Sequence, residues 1–197
     1  KITLFDKEIK VKDYDCSFNK NVFNPKPVNL NLYVQVTDVC NAKCQFCDKP
    51  GCKDNDFDYD KFEYVFKEVY QRGITNYVSL TGGEPFLNLL KLDRILNIIY
   101  KIAPDIAIGV NTNGYNLNAA KNLNIYELHI SRHHYDDYKN SSVFKTSVPS
   151  LESLKSFSKQ FKGKQIIFNC VLQKGLIDNI DELKLYLDRV SLTGIEK

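Results

Sequence analysis

Methionine is absent from this 197-residue chain, even at position 1. Either the chain is a fragment or modified methionines have dropped out of it, and spacings are read on that understanding. Arginine is scarce, limited to Arg72, Arg94, Arg132 and Arg189. Lys+Arg 27 against Asp+Glu 24 leaves a net charge of +3. No basic cluster stands out, so a nucleic-acid surface is not indicated. No apolar run approaches the roughly 20 residues a helix needs to cross a bilayer, which argues against a membrane protein. The first residues, Lys1-Ile2-Thr3-Leu4-Phe5-Asp6-Lys7, hold no extended apolar stretch. No signal peptide is read there, and the expectation is a cytoplasmic protein. Hydrophobic residues at 43% and charged residues at 26% exclude compositional disorder. A chain of this length can bury roughly 70% of its unfolded surface, enough for one core.

What is present is an alternation of strand and helix patterns. Ile2-Thr3-Leu4-Phe5 and Ile9-Lys10-Val11 around Asp6-Lys7-Glu8 suggest a hairpin. The Asn- and Pro-rich stretch from Asn19 to Asn29 reads as a connection, which divides the chain into residues 1–29 and a core over 30–197. From residue 30, period-two stretches predict strands at 30–36, 76–80, 106–111, 125–131 and 165–172. Helical spacing predicts helices at 58–72, 87–102, 118–123, 150–161 and 178–190. The segment 132–149 reads as a polar loop, and Ile195 as the opening of a sixth strand. The pattern predicts an α/β fold: a partial (β/α)6 TIM-like barrel of parallel strands, with a short N-terminal β-hairpin. In such barrels chemistry sits on the loops that follow the strands.

The strand faces carry a second signal. Asn31, Tyr33, Gln35 and Thr37 oppose Leu30, Leu32, Val34 and Val36. Tyr77, Ser79 and Thr81 oppose Val78 and Leu80, and Glu127, His129 and Ser131 oppose Tyr126, Leu128 and Ile130. A purely structural barrel fills its lumen with branched apolar side chains. Polar faces on three strands predict a wet cavity for a polar substrate.

Of the six cysteines, Cys40, Cys44 and Cys47 fall within eight residues, directly after the first long strand. Three thiolates on one loop can converge on a soft metal centre. With Cys52 as a fourth ligand they would suit zinc, giving a zinc-stabilised binding module. With three ligands alone they would suit an iron–sulfur cluster with one open iron. Cys16 and Cys52 otherwise read as bystanders, and Cys170 as a packing thiol.

Thr81-Gly82-Gly83-Glu84-Pro85 follows the next strand. This segment and the C-x3-C-x2-C loop, each after the expected strand and in the expected order, resemble the radical S-adenosylmethionine (SAM) superfamily. The likeness runs over roughly residues 30–197. Its branch is similar to the molybdopterin-precursor cyclase, the peptide maturases and the viperin-like enzymes. The resemblance implies an enzyme with a [4Fe–4S] cluster on Cys40, Cys44 and Cys47, whose fourth iron is chelated by SAM. Reductive cleavage of SAM then gives a 5′-deoxyadenosyl radical that abstracts hydrogen from substrate. It implies an electron donor such as flavodoxin or ferredoxin, and a polar small molecule or a peptide as substrate.

The resemblance also assigns residues. Phe46 would pack on the adenine. Gly82 and Gly83 would let backbone approach the ligand, and Glu84 would accept from the SAM amino group. Thr112 and Asn113 form the polar turn near the adenosine, Ser131 lies by the ribose, and Asn169 is an adenosine contact. Arg132 is the candidate partner for the SAM carboxylate, with Lys139 and Lys145 behind it. His133 and His134 depart from the family pattern and read as solvent-facing loop residues near the mouth of the site.

Overall fold

The computed structural model describes residues 2–4, 7–9, 30–47, 53–54 and 56–195. At the N-terminus β1 (Ile2–Leu4) and β2 (Lys7–Ile9) pair antiparallel, with Ile2 opposite Ile9. The hairpin is therefore where it is expected, with its second strand beginning two residues earlier. The Asn19–Asn29 connection lies outside the described residues.

The main sheet runs in simple sequential order through β3 (Leu32–Thr37), β4 (Tyr77–Gly82), β5 (Ala107–Thr112), β6 (Glu127–Ser131) and β7 (Gln165–Asn169). Every neighbouring pair is parallel. Helices α1 (Tyr59–Gln71), α2 (Leu89–Ile102), α3 (Leu117–Ala120), α4 (Asp137–Phe144), α5 (Leu151–Ser158) and α6 (Ile180–Ser191) follow the strands in turn, with both α4 and α5 between β6 and β7. The architecture is thus the expected partial barrel. The sixth strand expected from Ile195 does not appear among the described residues, which end there, so the described sheet has five strands.

The helices start where short polar side chains cap free amides. Asp58 accepts from the Lys61 amide at 2.9 Å and Asn88 from the Lys91 amide at 3.1 Å. Ser150 accepts from the Ser153 amide at 3.1 Å. Gly73, at φ 63°, takes the left-handed turn that ends α1. The expected helix from residue 87 is two pieces, a 3-10 turn at Pro85–Leu87 and then α2, because Asn88 caps a fresh start.

The segment 132–149 is corrected from a loop: it contains α4. Periodicity could not show it, because only Asn140 and Phe144 of this helix are buried. Its start is set instead by the Asp136 cap on the Lys139 amide at 2.8 Å.

The main core lies between sheet and helices. Val34, Val36, Val78, Leu80, Ile108, Val110, Leu128, Ile130 and Ile166 face outward onto Phe66, Leu92, Ile95, Ile99, Leu154 and Phe157. The opposite face of the same strands, polar as expected, is left to line the lumen.

Candidate active site

The C-terminal ends of β3 and β4 meet through backbone bonds. The Gly83 amide donates to the Thr37 carbonyl at 2.6 Å, and the Glu84 amide to the Val39 carbonyl at 2.8 Å. The cysteine loop therefore lies against the Gly-Gly-Glu-Pro turn. The pairing of β3 with β4 shifts register between Gln35 and Thr37, opposite Gly82 at φ 137°. Both glycines are required for contact: a Cβ on Gly82 would overlap the Thr37 carbonyl oxygen, and one on Gly83 the Val39 carbonyl oxygen. Gly83→Ala should push the cysteine loop away. The expected cost is about 1–3 kcal/mol, the range for overpacking. Urea unfolding checks it, and unchanged stability would contradict this contact.

Within the loop the Ala42 amide points at Cys40 Sγ at 3.4 Å, and the Cys47 amide donates to the Cys44 carbonyl at 3.2 Å. Cys40, Cys44 and Cys47 are all free thiols. Burial first, and then the charges of Cys40 and Cys47, pushes the Cys44 thiol up to about 11. Burial likewise raises Cys40. Thiols that oppose one another's ionisation call for a cationic centre between them. Among the described residues no three His, Cys, Asp or Glu side chains close on a single ion. Three thiolates on one loop are the donor set that leaves one iron of a four-iron cluster without a protein ligand, so the residues present fit the cluster in kind. Cys52, the fourth ligand of the zinc reading, lies outside the described residues, as does Cys16.

The rest of the loop is held from two sides. The Lys43 amide donates to the Phe144 carbonyl at 2.9 Å. Phe46, 42% exposed, meets the His133 ring edge-on at 4.9 Å, and His133 stacks on Phe144 at 4.9 Å. On the other side Asp54 accepts from Thr37 Oγ1 at 2.6 Å and pairs with Lys91 at 2.9 Å. Nothing in the sequence marked Asp54, because its partners lie 17 and 37 residues away.

The turn after β5 is joined to this assembly by Glu84. Its carboxylate is fully buried. It accepts from the Phe86 amide at 3.1 Å, Thr112 Oγ1 at 2.8 Å and the Asn113 amide at 2.7 Å. Glu84, expected to accept from a ligand amino group, thus has both oxygens engaged by protein donors. Thr112 is buried with it. Asn113 Nδ2 reaches the cysteine loop, donating to Asn41 Oδ1 at 2.8 Å and lying 3.8 Å from Cys40 Sγ.

Across the lumen, Asn111 Nδ2 donates to Ser79 Oγ at 2.7 Å, and Asn169 Nδ2 to Asn111 Oδ1 at 3.4 Å. Ser131 pairs with Asn169 in the sheet register. Ser131 and Asn169 are therefore brought together at the strand ends. Asn111, not singled out from the sequence, links them to β4; its alternation with Val110 was the signal.

Three expectations are corrected. Arg132 is not at the mouth: it is 1% exposed and its guanidinium binds the Pro149 and Tyr135 carbonyls, at 3.0 and 3.1 Å, and Asp137. Of the two lysines behind it, Lys145 is the one whose charge acts on Cys44. His133 and His134 are buried rather than solvent-facing. Asn140 Oδ1 accepts from both their amides, at 2.8 and 3.2 Å, and turns the chain inward. Burial lowers the His133 ring to about 4, so it is neutral, and its Nδ1 accepts from the Val171 amide at 3.1 Å. Cys170 packs, as expected, beside Ile177, Tyr186 and Val190.

Residues 34–187 match the sequence pattern of the radical SAM superfamily. A GTP 3',8-cyclase of Sulfurovum sp. (strain NBC37-1) is 30% identical over 172 residues, covering 80% of this chain and 51% of its own length. The chain spans about half the length of the curated relatives it matches. The structure of Streptococcus suis SuiB bound to S-adenosylmethionine superposes with a TM-score of 0.67 at 19% identity, covering 86% of this chain and 39% of that one. Methylornithine synthase (PylB) superposes at 0.61 and 15%, covering 84% and 51%. These two likenesses concern the fold. None of the comparisons supports the zinc-module reading.

Proposed function

Because the chain belongs to the radical SAM superfamily, we propose that it abstracts a hydrogen atom from a polar small molecule or peptide held in its barrel lumen. The cofactors of the family are a [4Fe–4S] cluster and SAM. When bound, they supply a 5′-deoxyadenosyl radical, with methionine as the other product. The observation that carries the reading is the pairing of three free thiols with the Gly-Gly-Glu-Pro turn by two backbone bonds.

In this reading Cys40, Cys44 and Cys47 hold the cluster. Gly82 and Gly83 keep the floor beside it free of side chains, and Thr112 and Asn113 present polar groups along it. Phe46, half exposed and backed by His133, offers an aromatic surface for the adenine. Ser131 and Asn169 offer hydroxyl and amide groups to the ribose and base. Glu84 and Arg132 act one step back, fixing the turns that carry these groups. An electron carrier of the flavodoxin or ferredoxin type would reduce the cluster.

The lumen wall is polar, which suits a polar substrate. The GTP 3',8-cyclase relatives make a purine nucleotide the first class to try. The test is anaerobic reconstitution with iron and sulfide, reduction by dithionite and incubation with SAM. The expected result is about four irons and four sulfides per chain, with SAM converted to 5′-deoxyadenosine and methionine. Stoichiometric zinc without sulfide, or a loaded cluster that leaves SAM intact, would refute the reading.

A further inference from the structure

The lumen wall holds a side-chain cluster that the cofactor site does not use. Tyr77 on β4 reaches across β5 to β6, where its phenol donates to Glu127 Oε1. It crosses at Gly109, where a Cβ would overlap the phenol oxygen. His129 Nε2 lies 2.8 Å from the same Glu127 oxygen and 3.2 Å from Tyr77 Oη. Burial alone would raise Glu127, but the bonds from His129 and Tyr77 outweigh it and hold the carboxylate below its ordinary value. An ionised carboxylate only accepts, so the proton faces it on Nε2. In the neutral ring, that leaves His129 Nδ1 as the bare nitrogen.

The three histidines differ in what their Nδ1 does. Those of His133 and His134 accept from the backbone amides of Val171 and Asp136. His129 Nδ1 has no protein partner among the described residues, and the side chain is 19% exposed. His129 stands two residues before Ser131 on the same face of β6, opposite Asn111 of β5 and Ile167 of β7 in register. The other titratable groups coupled to the cluster are Tyr33 of β3, whose charge acts on Tyr77, and Tyr126, on which the charge of Glu127 acts. The remaining lumen-face positions of β3–β7 carry no Asp, Glu, Lys or Arg. A barrel floor built only for stability is filled with branched apolar side chains. Here it carries an oriented carboxylate–imidazole pair with one open base.

We propose that Tyr77, Glu127 and His129 form a proton-transfer site on the lumen wall, in which His129 Nδ1 takes a proton from an O–H or N–H group of the substrate. Glu127 and Tyr77 are positioning residues. The proposal rests on the reading that substrate occupies the lumen. In the step, the substrate O–H or N–H bond breaks, its electron pair stays on the substrate atom, and an N–H bond forms at Nδ1. The Glu127 carboxylate balances the resulting imidazolium, and the reverse step returns the proton. No oxidant or reductant enters. The ligand class is therefore one that presents an ionisable hydroxyl, amide or ring N–H beside the carbon that loses hydrogen.

The test uses the reconstituted protein with SAM, carrying 13C/15N-labelled histidine. Three histidines give three ring signals, and His129→Gln identifies one of them. In its neutral form His129 is expected as the tautomer with Nε2 protonated and Nδ1 bare. Glu127→Gln should lose that preference, since an amide can also donate to Nε2, whereas Tyr77→Phe should keep it. Diethyl pyrocarbonate should acylate His129 ahead of His133 and His134. A protonated Nδ1, a tautomer unmoved by Glu127→Gln, or acylation no faster than at the two buried rings would overturn the proposal. The 5′-deoxyadenosine assay on the same samples reports separately on the enzyme reading, and its failure leaves the histidine signals readable.

Discussion

Cys44→Ala is expected to yield a protein with no [4Fe–4S] cluster and no SAM cleavage. Cys44 sits mid-loop, between Cys40 and Cys47, and its ionisation is opposed by both. Removing it leaves two thiolates, too few to hold a cubane in place. No neighbouring thiol among the described residues can replace it, because Cys170 is packed beside Tyr186 and α6. Iron and sulfide should fall to background, and 5′-deoxyadenosine below detection. Cys170→Ala, by contrast, should load its cluster like the parent. A Cys44→Ala protein that kept its cluster and cleaved SAM would show that the three-cysteine assignment is wrong.

Glu84→Ala is expected to be the most damaging change that leaves the cysteines alone. It strands three donors in a buried place: the amides of Phe86 and Asn113 and the hydroxyl of Thr112. Each buried unsatisfied group costs about 1–3 kcal/mol, so a total of about 3 kcal/mol or more is expected. The turn after β5 then loses its anchor, and Asn113 its hold on Asn41. The same carboxyl gives stability a pH dependence. Burial pushes Glu84 from 4.5 up to about 7, against the pull of its bonds to Asn113, Thr112 and Phe86. A pKa raised on folding favours the folded state while the group is protonated. Its contribution is therefore complete below about 4.5 and is lost as pH rises through about 7. The difference amounts to about 3 kcal/mol at most. Urea midpoints of the parent should fall across that window, and those of Glu84→Gln should fall less. Equal slopes in the two proteins would contradict this role for Glu84.

The features legible in the sequence are those set by local rules. Alternation placed all five main strands, and capping residues with helical spacing placed α1, α2, α5 and α6. The opposition of Ser79 and Thr81 to Val78 and Leu80 foretold a polar lumen, as did that of Glu127 and His129 to Leu128 and Ile130. The cysteine loop and the Gly-Gly-Glu-Pro turn could be placed on adjacent strand ends because βα units follow one another in order. What was hidden depends on distant partners. Helix α4 has little apolar periodicity and forms because Asp136 caps it and Asn140 ties its start to the backbone of His133 and His134. Arg132 looks like a ligand for an anion when only its neighbours in sequence are seen. Its guanidinium is claimed by carbonyls at Tyr135 and Pro149, the latter 17 residues on. The protein donors that hold Glu84 were hidden for the same reason, since those from the β5 turn lie 28 and 29 residues away.

The central claim is that three cysteines leave one iron free for SAM. The measurement that tests it most directly is the EPR spectrum of the reduced, reconstituted protein, recorded with and without SAM. The expected result is a [4Fe–4S]⁺ signal whose g-values shift when SAM is added, because the ligand binds the open iron. A cluster signal identical in the two samples, or no cluster signal at all, would contradict the account.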